Sequence, residues 1–314
     1  MELGYVVGVG GANIDLCGRS YAPIAPHDSN PGEIELSAGG VTRNICDNLA
    51  RLGADVKLIS AVGDDLFSEL ICRQSAQAGI DLSHLYHAAG RNSSMYLAIL
   101  DDSGDMHVAL SDMHILQNMP LDYLDAQKEL IAGAAIIVTD PCMKAERFER
   151  VLSYCHPGQI ICVDPVSTAY ARALLPYLGS IHTVKPNRLE LEVLAGQPVS
   201  TDADLESACE TLLKRGVQRV FVSLGADGCF YLDAEGRRMR RKLRPVTNMV
   251  NASGAGDAFT ASLLYATLHG YSPDEILDWA LAAGIAAISH KDTINPAMSP
   301  ALIHTILEEY RYES

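Results

Sequence analysis

Short runs dominated by apolar and β-branched residues alternate along the chain with longer stretches whose apolar positions recur at helical spacing. The runs Tyr5–Val9, Val56–Ala61, Ala135–Thr139, Ile160–Val163, Ile181–Val184 and Val220–Ser223 predict strands buried on both faces. Helices are predicted over Val41–Leu52, Ser68–Ala78, Glu146–Tyr154, Ala169–Leu175, Leu189–Ala195, Ala203–Arg215, Asp257–His269 and Pro273–Ser289. Such βα alternation predicts an α/β class fold, a doubly wound, mainly parallel sheet with helices on both faces, with residues 1–314 forming one domain.

Two segments break the rhythm. Leu16–Leu36 holds Pro23, Pro26 and Pro31 among short apolar pieces. Asn92–Leu110 reads as a hairpin, with Met95, Leu97 and Ile99 alternating before an Asp101-Asp102-Ser103-Gly104 turn and Met106, Val108 and Leu110 alternating after it. Together, about residues 15–37 and 92–112 predict a small β-sheet lid beyond the carboxyl ends of the main strands, where open α/β sheets bind ligands.

Composition narrows the function. The 314 residues are 48% hydrophobic, enough for a sizeable core, and carry a net charge of −15, which opposes nucleic-acid binding. The Arg-rich stretch Arg237–Arg244 reads as a solvated hairpin. A polyanionic ligand is then bound through backbone donors and a metal ion, not through net charge. The eight cysteines contain no C-x-x-C pair, the N-terminus lacks a signal-like pattern, and no run reaches about 18 uncharged apolar residues, so a reduced, cytoplasmic protein without a membrane span is expected. His84, His87 and His107 lack further ligands at metal spacing and read as surface or packing residues.

Candidate chemistry gathers at glycine-rich junctions. Gly254, Ala255 and Gly256 form a small turn ahead of an apolar helix, where unpaired N–H groups and the helix dipole make an anion hole, and Asp257 in the first turn is expected to stay ionised and accept a hydroxyl proton. Ser253 as an ordinary N-cap is the competing explanation. Gly8 to Asp15 follows the first strand. Asn13 stands where a dinucleotide fingerprint needs glycine, and Asn13 with Asp15 suits sugar hydroxyls or an Asx-turn. Gly39 and Gly40 repeat the anion-hole pattern ahead of Asn44, which could bind a hydroxyl, although a plain glycine turn also fits. Asn187 and Glu190 share a helix face and suit either metal-bound water and phosphate or a capping box. Ser223, Gly225 and Gly228 lie in a turn that fits nucleotide contact or a hairpin.

These motifs, in this order and over essentially the whole chain, resemble the ribokinase-like (PfkB) carbohydrate kinases. The resemblance implies a Rossmann-like domain with a β lid, ATP as donor and Mg2+ as cofactor, with K+ as a further candidate. It implies that Asn13, Asp15, Gly39, Gly40 and Asn44 bind the acceptor and that Asn187 and Glu190 serve metal and phosphate. Ser223, Gly225, Gly228 and Ser253 join the nucleotide site, Gly254 to Gly256 form the anion hole and Asp257 is the base. The chain departs from the family at Asn251-Ala252-Ser253, in place of Asp-Thr-Thr, and at Thr42, in place of a small residue. Within the family, His27–Gly32, Gly39–Asn44, Ser111–Met113 and Lys185–Glu190 are similar to the pseudouridine kinases. That similarity implies a nucleoside acceptor phosphorylated at its 5′-hydroxyl, read by Asp28, Ser29, Asn30 and Asp112. Another family kinase acting on ribose or a different nucleoside is the near alternative. A nicotinamide-dependent oxidoreductase and a non-catalytic sugar-binding protein are distant ones. Apolar lid faces suggest a homodimer, as in some relatives.

Overall fold

The computed structural model describes residues 3–244, 246 and 249–310. With strands numbered in chain order, the main sheet contains β1 (Val6–Val9), β4 (Val56–Val62), β5 (Leu85–His87), β8 (Ile136–Thr139), β9 (Ile160–Val163), β10 (Thr183–Val184), β11 (Arg219–Ser223), β12 (Cys229–Asp233) and β13 (Arg238–Arg241). Its order is β13-β12-β11-β10-β9-β8-β1-β4-β5, parallel from β5 through β11 and antiparallel at β12 and β13. β1 makes the two layers visible in a few residues. Val6 packs with Ile45, Leu49 and Leu263 in one core, while Val7 and Val9 pack with Ile137, Leu191 and Leu205 in the other.

The helix Ala255–Leu268 lies against the helices Val41–Arg51 and Pro273–Ile288, and Ala258 through Ala266 are all buried. A helix with neighbours on several sides has no need of a polar stripe, which explains its Ala- and Leu-rich sequence. The expected helix over Ala169–Leu175 is different in the structure: a single α turn, Thr168–Ala171, continues as a 3-10 helix over Arg172–Ser180 that contains Pro176. Proline removes a donor and crowds the preceding turn, which disfavours α geometry there. The pattern also missed β5, the short helices Leu121–Ala126 and Lys128–Ala132, and the helix Pro300–Tyr310. The arginine-rich stretch forms the sheet edge β13, where Arg238 pairs with Glu206, Arg240 with Asp202 and Arg241 with Asp274.

The two segments that broke the rhythm form a second sheet, ordered β3-β2-β6-β7, from β2 (Asn13–Ser20), β3 (Gly32–Gly39), β6 (Ser94–Leu100) and β7 (Met106–Asp112). Its register sorts side chains by face. Asp15 neighbours Ser37 and Tyr96, with Ser111 beyond, whereas Leu16 neighbours Leu36 and Leu97, with Leu110 beyond. One face is therefore polar and the other apolar.

β1 has later strands on both sides, so the chain reverses direction across the sheet there, and the loops after the strands converge at that edge. Three of those loops begin with a charged residue: Asp140 after β8, Asp164 after β9 and Lys185 after β10. Asp140 is a bolt between segments. Its Oδ2 accepts hydrogen bonds from Gly11 N at 2.8 Å and Thr42 Oγ1 at 2.6 Å, and its Oδ1 accepts one from Cys142 N at 2.9 Å. Thr42, which departs from the family pattern, is thus held by a fully buried carboxylate. Asp140→Ala leaves these buried donors unpaired and is expected to lower stability in urea by about 3 kcal/mol. A loss below about 1 kcal/mol would mean that the bolt is dispensable.

Candidate active site

The loop at Gly39 and Gly40 is shaped by close approach. Gly40 has φ 98°, and a side chain there would collide with the Gly11 carbonyl. This junction is not an open anion hole, because Arg43 N already donates to Gly11 O at 3.1 Å and Asn44 N to Gly40 O at 2.7 Å. Gly39 instead leaves room for the carboxylate of Asp15 beside it. Asp15 Oδ1 accepts a hydrogen bond from Asn13 Nδ2 at 2.6 Å, and burial raises the Asp15 carboxyl against the lowering effects of Asn13 and Arg43.

The turn before Ala255 behaves differently. Gly254, at φ 76°, is the N-cap, and no side chain caps the helix. Ser253 does not serve as the N-cap; its N–H donates to Asn251 Oδ1 at 2.9 Å. The first N–H bonded within this helix is that of Ala258, which donates to Gly254 O at 2.9 Å, so the amides of residues 255–257 present the positive helix end to the cleft.

Asp257 stands at that end, and Asn44 Nδ2 donates to its Oδ2 at 2.8 Å. The expectation of a permanently ionised carboxylate is not what this environment gives. Burial and the neighbouring Asp164 charge, with a contribution from Asp15, push Asp257 up to about 7 against the lowering effects of Asn44 and Lys185. The helix dipole favours the anion but acts only over the first turn, whereas desolvation acts on the whole group.

Lys185 and Asp164 are the functional candidates that sequence reasoning passed over. Lys185 Nζ lies 3.1 Å from Asp164 Oδ2, with both side chains almost wholly buried. Burial pulls the lysine down, but Asp164, Glu190 and Asp257 outweigh it and hold the ammonium above its usual range, so it stays charged. Asp164 also accepts from Thr260 Oγ1 at 3.3 Å and from Val166 N at 2.9 Å, the latter given from φ 67°, a left-handed conformation rare for a β-branched residue. The available signal was positional: a charged residue immediately after an apolar parallel strand.

Asn187 and Glu190 form a complete capping box, with Glu190 N donating to Asn187 Oδ1 at 2.9 Å and Asn187 N to Glu190 Oε2 at 2.8 Å. The capping reading is therefore realised, and it leaves Asn187 Nδ2 and Glu190 Oε1 for another partner. Burial raises Glu190, as does Asp164, against Asn187 and Lys185. No group of three or more metal-binding side chains forms a cage among the described residues. Asp164, Glu190 and Asp257 act on the Lys185 ammonium, and of this neighbourhood Asn187 and Glu190 offer the amide and carboxylate oxygens that suit a hydrated cation. Ser223 N donates to Pro186 O at 3.0 Å, which sets the Ser223 turn beside Asn187. Gly225 faces open space, while Gly228 is required by the close approach of the Arg241 carbonyl.

Other expected binding residues make hydrogen bonds local to their own segments. Asp28 accepts from Ser29 N at 2.8 Å, and Asn30 bonds the backbone of Ala25 and Asp28, so their hydrogen bonds close an exposed turn. Asp112 pairs in register with Met95 on the apolar face of the small sheet, opposite Asp15, and accepts from His114 N at 3.1 Å. Ser111, one residue earlier, occupies the polar face; a shift of one residue changes faces in a strand.

The profile of the pfkB family carbohydrate kinases matches residues 4–300. The chain is 36% identical over 308 residues to the pseudouridine kinase of Escherichia coli strain K12, covering 98% of this chain and 97% of that one. It is 34% identical over 298 residues to the uncharacterized sugar kinase YeiI of the same strain, covering 95% and 82%. Arabidopsis thaliana ribokinase, in its structure complexed with ribose and ATP, superposes with a TM-score of 0.87 at 22% identity and covers 99% of each chain, a likeness of fold.

Asp257 carries a consequence for stability. A carboxyl raised to about 7 in the folded state favours folding while protonated, and that contribution is lost as pH rises from the unfolded value towards and through 7. Asp257→Asn removes the charged form and is expected to stabilise the free protein at pH 8 by roughly 2–4 kcal/mol, with little difference at pH 4. Equal effects at both pH values in urea denaturation would contradict the raised carboxyl.

Proposed function

We propose, because this chain belongs to the pfkB family of carbohydrate kinases, that its Asp257 cluster transfers the γ-phosphoryl group of ATP to the 5′-hydroxyl of pseudouridine, giving pseudouridine 5′-phosphate and ADP. An ATP-dependent kinase is the family's activity. The observation that carries the site assignment is a half-buried carboxyl held by Asn44 at an uncapped helix N-terminus, beside the Lys185 ammonium.

In this reading Asn13 and Asp15 hold acceptor hydroxyls from the polar face of the small sheet, which closes as a lid and excludes water. Asp257 takes the hydroxyl proton as the new O–P bond forms and the bond from phosphorus to the ADP oxygen breaks. The free amides of residues 255–257 and the Lys185 ammonium receive negative charge that builds on the phosphoryl oxygens. Mg2+, held by Asn187 and Glu190 through water or phosphate, supplies further positive charge when bound. At Asn251 to Ser253, where K+ would be sought, Asn251 Nδ2 donates to Lys291 O at 2.8 Å and its Oδ1 accepts from Ser253 N.

The acceptor rests on the likeness to the pseudouridine kinase of Escherichia coli, and the near-equal identity to a sugar kinase keeps a plain sugar as the second reading. ATP turnover measured side by side with pseudouridine, uridine, adenosine, ribose and fructose 6-phosphate is expected to be highest with pseudouridine. Preference for uridine or ribose would overturn the acceptor and keep the kinase. Asp257→Asn is expected to lose about 100-fold or more in kcat while still binding acceptor; near wild-type turnover would sink the assignment of the base.

A second copy of the chain is the proposed cover for the apolar face of the small sheet, where Ile34, Leu36, Val108 and Leu110 are exposed on the two outer strands beside Leu16, Leu97 and Ile99. Sedimentation should give a dimer for the native protein and a monomer for Ile34→Glu with Leu110→Glu. A native monomer would refute this pairing.

A further inference from the structure

Arg43 lies in the first turn of the helix Val41–Arg51, is 2% exposed, and has no part in the reaction as described. A buried guanidinium costs several kcal/mol unless its N–H groups are matched, so its partners indicate what it does. Nε donates to Ser75 Oγ at 3.1 Å. One Nη donates to the Ala38 carbonyl and to Asn44 Oδ1, each at 3.1 Å, and the other pairs with Asp47. Asp47 is held from its far side by Arg51 Nε at 2.5 Å, and Arg51 also reaches the Pro296 carbonyl at 3.0 Å.

The bond to Asn44 matters because a side-chain amide has nearly the same shape in its two orientations but opposite chemistry. Arginine can only donate, so the amide atom that meets Arg43 must be Oδ1. That choice turns Nδ2 towards Asp257 Oδ2, 2.8 Å away. With the amide reversed, Oδ1 would face a carboxylate oxygen, an arrangement tolerable only when Asp257 carries a proton. We propose that Arg43 is a positioning residue: it locks Asn44 in the one orientation that donates to the Asp257 carboxylate. The inference rests on Asp257 being the base.

The groups acting on Asp257 are Asp164 and Asp15, which favour its protonated form, and Lys185 and Asn44, which oppose them. Of these, Asn44 has its donor direction set by Arg43, while the Arg43 charge also lowers Asp15, an effect that Arg43→Lys retains and Arg43→Met removes. The Arg51 guanidinium shares Asp47 with Arg43 but does not bond Asn44, which separates support of the helix from control of the amide.

The experiment is the pH dependence of kcat/KM for ATP turnover, with the best acceptor of the panel, in wild type, Arg43→Met, Arg43→Lys and Arg51→Ala. Lysine keeps a charge for Asp47 but lacks the planar fork that reaches Asn44 as well, so it serves if the methionine variant fails to fold. The acidic limb is expected to move up by about one pH unit in the Arg43 variants, with turnover at pH 7 down about fivefold and recovering above pH 8, and to stay in place in Arg51→Ala. An unmoved limb in the Arg43 variants, or the same movement in Arg51→Ala, overturns the inference. The base assignment is tested apart from it: Asp257→Asn that loses turnover alongside unmoved Arg43 limbs defeats the Arg43 role alone, whereas Asp257→Asn that keeps turnover defeats both.

Discussion

A hydrogen bond from Asn44 Nδ2 to Asp257 Oδ2 joins residues 213 apart in sequence, and the arrangement of the site depends on it. It can form only because the helices Val41–Arg51 and Ala255–Leu268 pack together on one face of the main sheet with their N-termini at the same edge. The first of those helices is tied to β1 and β8 through Gly11, Thr42 and Asp140, and the second begins at Gly254, whose left-handed turn leaves its leading amides unspent. Pulling one carboxylate into this meeting point places it near Asp164 and Asp15 with Lys185 as the opposing charge. The outcome is an acid poised near neutrality, which suits a group that must both take and release a proton in each turnover.

Such a site works against the fold's own stability. Asp257 ionises at a cost, Val166 holds a backbone conformation foreign to its side chain, and Arg43 is buried among partners that must all be present. The surrounding core offsets this locally. The helix that carries Asp257 is buried along nearly all of its length, and the small residues Ala258, Ala261 and Ala266 allow its neighbours to approach closely. The small sheet resolves a related conflict by period: Asn13 and Asp15 turn polar groups to one face while Ile14 and Leu16 turn apolar groups to the other.

Much of the architecture was legible in the chain because buried parallel strands such as Val6–Val9 and Ile136–Thr139 are nearly uniform in polarity and the helices between them have strong periodicity. The two rhythm-breaking segments were legible for the opposite reason, having alternation without a following helix. The turn at Gly254 and the segments around Asn13 and Asn44 could be picked out by local chemistry, but their convergence could not, since no local pattern states that residues so far apart will touch. Lys185 and Asp164 were missed because a single charge after a strand looks like a solvated loop until the sheet order places it beside another. Asp112 shows the limit of reading a hairpin end: a register shift of one residue decides its face. The ionisation of Asp257 was misjudged because the dipole is visible in sequence and desolvation is not.

The most direct test of this account is the pH dependence of kcat/KM for ATP turnover by the wild-type protein. A base of the kind described gives an acidic limb of unit slope with an apparent pKa near 7. A profile that stays flat from pH 8 down to about pH 5, near the ordinary carboxylate range, would contradict it, because the group taking the proton would then be one that burial and its neighbours have left unperturbed.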